Sequence, residues 1–131
     1  MKEYVSVDVE TTGLAPKQDK IIEIGAVRVR DGQIVGSFTS FVNPGRILPA
    51  HITELTGILQ EQVDEAETME SVLPAFLEFA GDLPLMGHRI LFDYGFLKRA
   101  AVNMRLDFER SGVDTLKLSR QFLSELPSRR L

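Results

Sequence analysis

The chain has 131 residues, of which 44% are hydrophobic, a net charge of −4 and no cysteine. These values predict one globular domain with its own core, and they exclude disulfides and thiolate metal sites. The acidic balance argues against a protein that binds nucleic acid mainly through a broad basic surface, but it does not exclude an enzyme with an acidic, metal-binding centre. We see no membrane-spanning stretch and no secretory leader, so we expect a cytoplasmic protein.

Residues 5–14, Val-Ser-Val-Asp-Val-Glu-Thr-Thr-Gly-Leu, are typical of a buried strand that ends in a turn. Side chains alternate along a strand, so the valines share one face while Asp8 and Glu10 share the other. Two close carboxylates in a partly desolvated site both stay ionised only if a cation compensates them. The pattern therefore favours a metal site, and the alternative is an edge strand whose acids face water.

An Asp-Gly pair separates two further strand-like runs, 21–30 and 33–42, and is a strong hairpin signal. A two-residue turn with no bulge would pair Gly25 with Phe38 and would place large residues opposite glycines. We therefore expect three antiparallel strands at the start of the sheet.

Proline and glycine positions divide the remaining sequence into helices and short strands. Pro74 is tolerated best in a first helical turn, so we expect its helix to begin at an N-cap on Ser71. The predicted elements are a helix near 50–55, a helix over 71–80, a buried strand over 83–86, a helix reaching about 105, and a strand and helix between 111 and 127.

Asp93 lies in the first turn of the helix that reaches about 105. Phe92, Phe96 and Ala100 form an apolar stripe beside it, so Asp93 should point inward toward the sheet. The alternative is an acid that simply complements the helix dipole.

Two motifs resemble those of the DEDD-type 3′→5′ exonucleases, a family that includes the proofreading subunit of bacterial replicative polymerase. The first is Val-Asp-Val-Glu-Thr-Thr-Gly-Leu with the following Ile-Ile-Glu-Ile-Gly-Ala-Val, and the second is Gly-His-x-x-x-Phe-Asp-x-x-Phe-Leu at 87–97. The resemblance implies an α/β, ribonuclease-H-like mixed sheet with helices on both faces. It also implies Mg²⁺ or Mn²⁺ and release of nucleotides from single-stranded DNA or RNA ends by two-metal hydrolysis.

By the same resemblance, Asp8, Glu10 and Asp93 are the catalytic, metal-binding residues. Gly57 and Ile58 are either nucleotide contacts or a helix cap with an apolar anchor, and Phe92 is either a nucleotide contact or core. The implied nucleotide-binding residues are Thr11, Thr12, Leu14, Gly57, Ile58 and Phe92. Arg89 replaces the Asn that is usual after the histidine of the second motif.

The family's third motif, a His followed five residues later by an Asp on a final helix, has no counterpart here. Only His88 has an Asp at that spacing, and this Asp belongs to the second motif. We therefore expect residues 1–131 to form an exonuclease domain without the third-motif segment. It should be poorly active because the general base and the last ligand are absent. The bare apolar surface would favour a homodimer.

The expected partners are a single-stranded 3′ end and a DNA polymerase subunit in replication and proofreading. A non-catalytic nucleic-acid- or partner-binding module on the same scaffold is the main alternative. A haloacid dehalogenase-type phosphatase would need a parallel sheet from the outset, which the Asp-Gly hairpin contradicts. These residues do not separate DNA from RNA as the substrate.

Overall fold

The computed structural model describes residues 2–106, which form a mixed four-stranded sheet and four helices. The strands are β1 (Glu3–Thr11), β2 (Ile21–Arg30), β3 (Gln33–Phe41) and β4 (Leu85–Met86), and the helices are α1 (Ala50–Thr56), α2 (Gln60–Asp64), α3 (Met69–Ala80) and α4 (Ile90–Asn103). The sheet order is β3-β2-β1-β4, with β1, β2 and β3 antiparallel and β4 parallel to β1. The three antiparallel strands were predicted, whereas the elements predicted between 111 and 127 lie outside the described residues.

The larger core lies between one face of the sheet and helices α3 and α4. The three valines of β1, which alternate with polar residues, are at most 4% exposed on this face. Helix α3 contributes Leu73 and Phe76, and α4 contributes Leu97 and Ala101. This packing fixes α4 against β1. No helix within residues 2–106 has the length and apolar character needed to cross a membrane.

A second, smaller core joins α1 and α2 to the other face of the sheet at the start of β2. It comprises Ile22, Leu48, Ile52, Ile58 and Val63, with Phe41 packed against it. Phe41 pairs with Glu23, which pairs with Glu10, so Phe41 lies on the acidic face of the sheet. Helices therefore cover both sides of the sheet.

The hairpin between β2 and β3 forms at the predicted turn. Asp31 has φ 51° and Gly32 has φ 85°, the two positive values that a type I′ turn requires. Asp tolerates this conformation better than most residues other than glycine. Arg30 pairs with Gln33 next to the turn, and Val29 then pairs with Ile34, as the two-residue turn predicts.

The predicted register is wrong beyond that pair, because the ladder shifts after Val29. Val35 is the extra residue of the bulge, and Phe38 consequently faces Ala26 rather than Gly25. A one-residue shift moves a side chain to the opposite face of the sheet. Phe38 thereby packs against α3, with its ring centroid 5.8 Å from that of Phe76.

Helix α3 begins earlier than the sequence predicted. Thr68, not Ser71, is the N-cap, and the Val72 N–H donates to the Thr68 carbonyl at 3.0 Å. Pro74 therefore lies inside the helix, and the hydrogen bond it cannot make would have gone to Glu70, an exposed residue of the first turn. Helix α2 was not predicted.

Candidate active site

The centre of the candidate site is the end of β1, where Asp8 and Glu10 project from the same face. Asp8 is exposed and Glu10 is half-buried. Across the ladder Asp8 pairs with Gly25, which has no side chain, and Glu10 pairs with Glu23. Sequence reasoning did not single out Glu23, although it is the one charged residue in the apolar run Ile-Ile-Glu-Ile.

Asp93 reaches this strand from the first turn of α4. Its side chain is only 1% exposed, so the predicted inward orientation is confirmed. The backbone N–H of Val9, the residue between Asp8 and Glu10, donates to the Asp93 carboxylate. The Oδ2 atom of Asp93 is buried and has no hydrogen-bond partner. A buried charged oxygen left in this way is costly unless a further group satisfies it.

Gly87 allows the close approach of the second motif to β1. A Cβ atom at this position would lie 2.5 Å from the Val7 carbonyl oxygen and 3.6 Å from Asp93 Oδ2. The first distance is too short for any side chain, since the atom met is backbone. The glycine therefore brings the start of α4 against the acidic end of β1.

Burial and neighbouring negative charges raise the pKa values of Asp93, Glu10 and Glu23. Burial, followed by the Asp8 charge, raises the pKa of Asp93 from 3.8 to about 7, and the charge of Glu10 adds to this. Arg89 and the Val9 hydrogen bond lower that pKa but do not cancel the rise. Burial and the charges of Asp8 and Glu23 raise the pKa of Glu10, against a lowering by Arg89, and burial and Asp8 raise the pKa of Glu23.

These groups have the chemistry of a site for a hard divalent cation. Within residues 2–106 no three Asp, Glu or His side chains form a ready-made coordination shell. The acids are close enough for the Asp8 charge to raise the pKa values of both Glu10 and Asp93. The donors are all carboxylate oxygens, which suit Mg²⁺ and Mn²⁺ better than softer metals. A cation is also what the unpartnered Asp93 oxygen and the repelling acids require.

The turn after β1 is closed by its own hydrogen bonds. Thr11 and Thr12 are buried, and their hydroxyls donate to the Gly13 carbonyl at 2.6 Å and to Asp19 Oδ1 at 3.0 Å. Leu14, by contrast, is 76% exposed at the tip of this turn. Of the predicted nucleotide contacts in this turn, Leu14 is the side chain open to a ligand.

Gly57, Ile58 and Phe92 have clear structural roles. Gly57 ends α1 with φ 79°, and its N–H donates to the Thr53 carbonyl at 2.8 Å. Ile58 is buried in the second core, and half-buried Phe92 packs against Phe96 at a ring-centroid distance of 5.0 Å. The helix-cap and core alternatives are therefore realised, and contact with a nucleotide remains a prediction for all three.

Similar sequences occur in much longer proteins. The chain is 46% identical over 124 residues to the PolC-type DNA polymerase III of Clostridium perfringens, a match that covers 95% of this chain and 9% of that protein. It is 42% identical over 131 residues to the PolC-type DNA polymerase III of Bacillus subtilis, covering 98% of this chain and 9% of that protein. The chain thus spans a small part of the length of these relatives.

Solved structures share the fold at low sequence identity. Exonuclease I in its apo form superimposes with a TM-score of 0.73 at 14% identity, covering 85% of this chain and 28% of that one. E. coli exonuclease I in complex with a dT13 oligonucleotide gives a TM-score of 0.71 at 16% identity, covering 82% and 25%. These likenesses confirm the predicted ribonuclease-H-like fold. Residues 5–131 match the model of the exonuclease family RNase T, so the chain belongs to this exonuclease family, which confirms the predicted family and its enzyme class.

Proposed function

We propose that the chain is a 3′→5′ exonuclease domain that removes nucleotides from single-stranded DNA ends by metal-dependent hydrolysis. The observation that carries this proposal is the buried, unpartnered Asp93 Oδ2 beside the strand that bears Asp8 and Glu10. Membership of the exonuclease family supports hydrolysis at nucleic-acid ends. The acids supply the oxygen ligands that such chemistry uses.

In this proposal Asp8, Glu10 and Asp93 would hold divalent ions, Mg²⁺ or Mn²⁺. The second of the two metal sites would be incomplete in these 131 residues, because the last acidic ligand of the third motif is absent from them. The ions, when bound, lower the pKa of the attacking water and stabilise charge on the phosphate oxygens. The protein's part is to present ionised carboxylates from two elements at one place. Because the pKa of Asp93 is about 7 in the metal-free chain, the cation and the proton compete for this carboxylate near neutral pH.

The terminal nucleotide would lie against the turn after β1 and the start of α4. Leu14 offers an exposed apolar surface to a base or sugar. The hydroxyls of Thr11 and Thr12 are engaged inside the turn, so these residues would act by shaping it. Gly57, Ile58 and Phe92 would form the opposite side of the groove.

Two similarities favour DNA as the polymer. The two relatives described above are PolC-type DNA polymerases III, and one structural neighbour was solved with a dT13 oligonucleotide. We therefore place the domain in proofreading, with a DNA polymerase as partner. Single-stranded RNA presents the same phosphodiester and is the competing substrate.

We expect slow turnover by the 131 residues themselves. Apart from His88 in the second motif, the sequence has no His with an Asp five residues later, and a general base typically contributes about 10²- to 10⁴-fold. The same observation favours the second candidate, a module that binds a nucleic-acid end without cleaving it. Metal and strand binding are expected in both cases, and only cleavage separates them.

The test uses a 5′-labelled single-stranded oligodeoxynucleotide, its ribonucleotide counterpart and Mn²⁺ or Mg²⁺. We expect slow, metal-dependent shortening from the 3′ end of the DNA, and none with Asp8→Asn. Tight strand binding without any shortening would favour the binding module. Equal or faster shortening of the RNA would overturn the DNA preference, and fast cleavage would overturn the expected need for a separate base.

A further inference from the structure

Arg89 places a cation directly beside the acidic site. It immediately precedes α4, and its backbone carbonyl accepts the Asp93 N–H at 2.9 Å, so one helical turn positions both residues. The guanidinium carbon lies 4.1 Å from the ring centroid of Phe92. Phe92 in turn packs on Phe96, which is 2% exposed. Arg89 is thus an exposed side chain that lies on the Phe92 ring, and the Phe92 ring is itself held by the buried Phe96.

The stacked arrangement leaves the edge of the guanidinium available. An arginine that stacks on an aromatic face keeps its N–H donors in the plane of the group, where they can still bind an oxyanion. Within residues 2–106, Arg89 forms no ion pair and no side-chain hydrogen bond. Arg28 and Arg30, by comparison, both lie 3.4 Å from Glu3 Oε2.

The difference between Arg89 and the paired arginines, Arg28 and Arg30, indicates the role of the Arg89 charge. Arg89 lies one helical turn from Asp93, at the start of the helix that brings this carboxylate to β1. An arginine whose whole role was to neutralise the acids of this site would be expected to close an ion pair with one of them, as Arg28 and Arg30 do with Glu3. Arg89 instead keeps its charge near the acids and stays on the ring.

We propose that Arg89 binds a non-bridging oxygen of the 3′-terminal phosphodiester and holds the strand end against the carboxylates. This assignment rests on the proposed nuclease function and makes Arg89 a substrate-binding residue. The planar guanidinium matches the geometry of two phosphate oxygens, and the site is otherwise repulsive to a polyanion until cations are bound.

The test measures oligonucleotide binding to the full chain in the presence of Ca²⁺, with two strands that differ at one linkage. One strand has natural phosphodiesters throughout, and the other has an uncharged methylphosphonate at the 3′-terminal linkage. The variants are Arg89→Gln, Arg89→Lys and, as a control with a cation far from the site, Arg30→Gln. Mn²⁺ titration of each variant checks that the acidic site is intact.

We expect Arg89→Gln to weaken binding of the natural strand by about 10- to 100-fold, as loss of a charge-assisted hydrogen bond should. Arg89→Lys should recover part of the loss, because it restores the charge without the planar fork. With the methylphosphonate strand, the wild-type chain and Arg89→Gln should bind almost equally. Arg30→Gln should change neither affinity.

Equal binding of the natural strand by the wild-type chain and Arg89→Gln would overturn the assignment of Arg89 but not the proposed function. A loss of the same size with the methylphosphonate strand would also overturn it, since the effect would then not depend on the phosphate charge. Failure of the wild-type chain to bind either Mn²⁺ or oligonucleotide would overturn the proposed function, and the assignment with it.

Discussion

The two ends of the β1–β2 ladder differ in how their charged side chains are paired. At one end Glu3 pairs with Arg30 across the strands and lies 3.4 Å from the guanidinium groups of both Arg28 and Arg30. At the other end Glu10 pairs with Glu23, so two like charges face each other. Like charges directly opposite each other destabilise a sheet, whereas opposite charges contribute modestly to its stability.

The difference separates a structural end of the sheet from a binding end. At the Glu3 end the carboxylate lies beside two guanidinium groups of the chain, although the buried Arg28 Nε has no hydrogen-bond partner. At the Glu10 end, Asp8 and Asp93 join the pair, and the Arg89 charge lowers the pKa values of Glu10 and Asp93 without bringing them to ordinary values. Uncompensated acids of this kind cluster at functional sites, and under the proposed function a divalent cation would restore the balance.

The largest expected effect is loss of the cation when Asp93 is neutralised. We expect Asp93→Asn to weaken Mn²⁺ binding, measured by titration calorimetry, by at least about 100-fold, because a buried ligand oxygen loses its charge. Residual nuclease activity should fall with it. Glu3→Gln is the matched control at the other end and should leave Mn²⁺ affinity unchanged, and similar losses in both variants would contradict the comparison.

The second effect is on the pH dependence of stability. Because the folded-state pKa of Asp93 is raised from 3.8 to about 7, the native chain binds more protons than the unfolded chain between these values. The free energy of unfolding should therefore fall as pH rises from about 4 to 7, by on the order of a few kcal/mol, and level off above. Denaturant unfolding in EDTA would measure it.

Asp93→Asn should remove most of this slope and make the metal-free chain more stable at pH 8. Saturating Mn²⁺ should stabilise the wild-type chain at pH 8 but not the variant. A wild-type chain whose stability rises between pH 4 and 7 in EDTA would contradict the burial of this carboxyl.

The third effect concerns the approach of α4 to β1. Gly87→Ala should lower the free energy of unfolding by about 1–3 kcal/mol, because the new methyl group would meet the Val7 carbonyl oxygen and backbone would have to move. Gly25→Ala is the control, since its Cβ would meet only the Asp8 carbonyl oxygen at 3.9 Å. Chemical denaturation of both variants checks the difference, and equal stabilities would refute it.

The smallest effect is expected at the Glu3 end of the ladder, where opposite charges lie close together. Glu3→Gln should lower the free energy of unfolding by less than about 1 kcal/mol, since its partners are partly exposed and screened by solvent. The difference should shrink further in high salt. A larger loss in the free energy of unfolding would contradict the comparison, because the ion pairs of Glu3 would then contribute strongly to the stability of the fold.

Local patterns were enough to predict much of the site. The alternation of valines with Asp8 and Glu10 gave the strand and its acidic face, and the apolar stripe beside Asp93 gave the orientation of that acid. The Asp-Gly pair gave the hairpin turn, since two positive φ angles are a requirement of adjacent residues.

Contacts between distant segments decided the rest. The bulge at Val35 moves Phe38 to the face covered by α3, and the bulge at Ile22 sends that residue to the second core while Glu23 stays opposite Glu10. Gly36, directly after Val35, is a local signal for the first bulge, and the second has none. The register of both is selected by the side chains that they bring into a core.

By itself the sequence determined which residues carry charge and where the chain turns, since propensity and side-chain alternation act over a few neighbours. Only the tertiary structure decided that Asp93 Oδ2 is buried without a partner, that Glu23 joins the acids and that Arg89 lies on Phe92. The physical reason is that burial and electrostatic coupling depend on elements that are far apart in the chain and meet only in the fold.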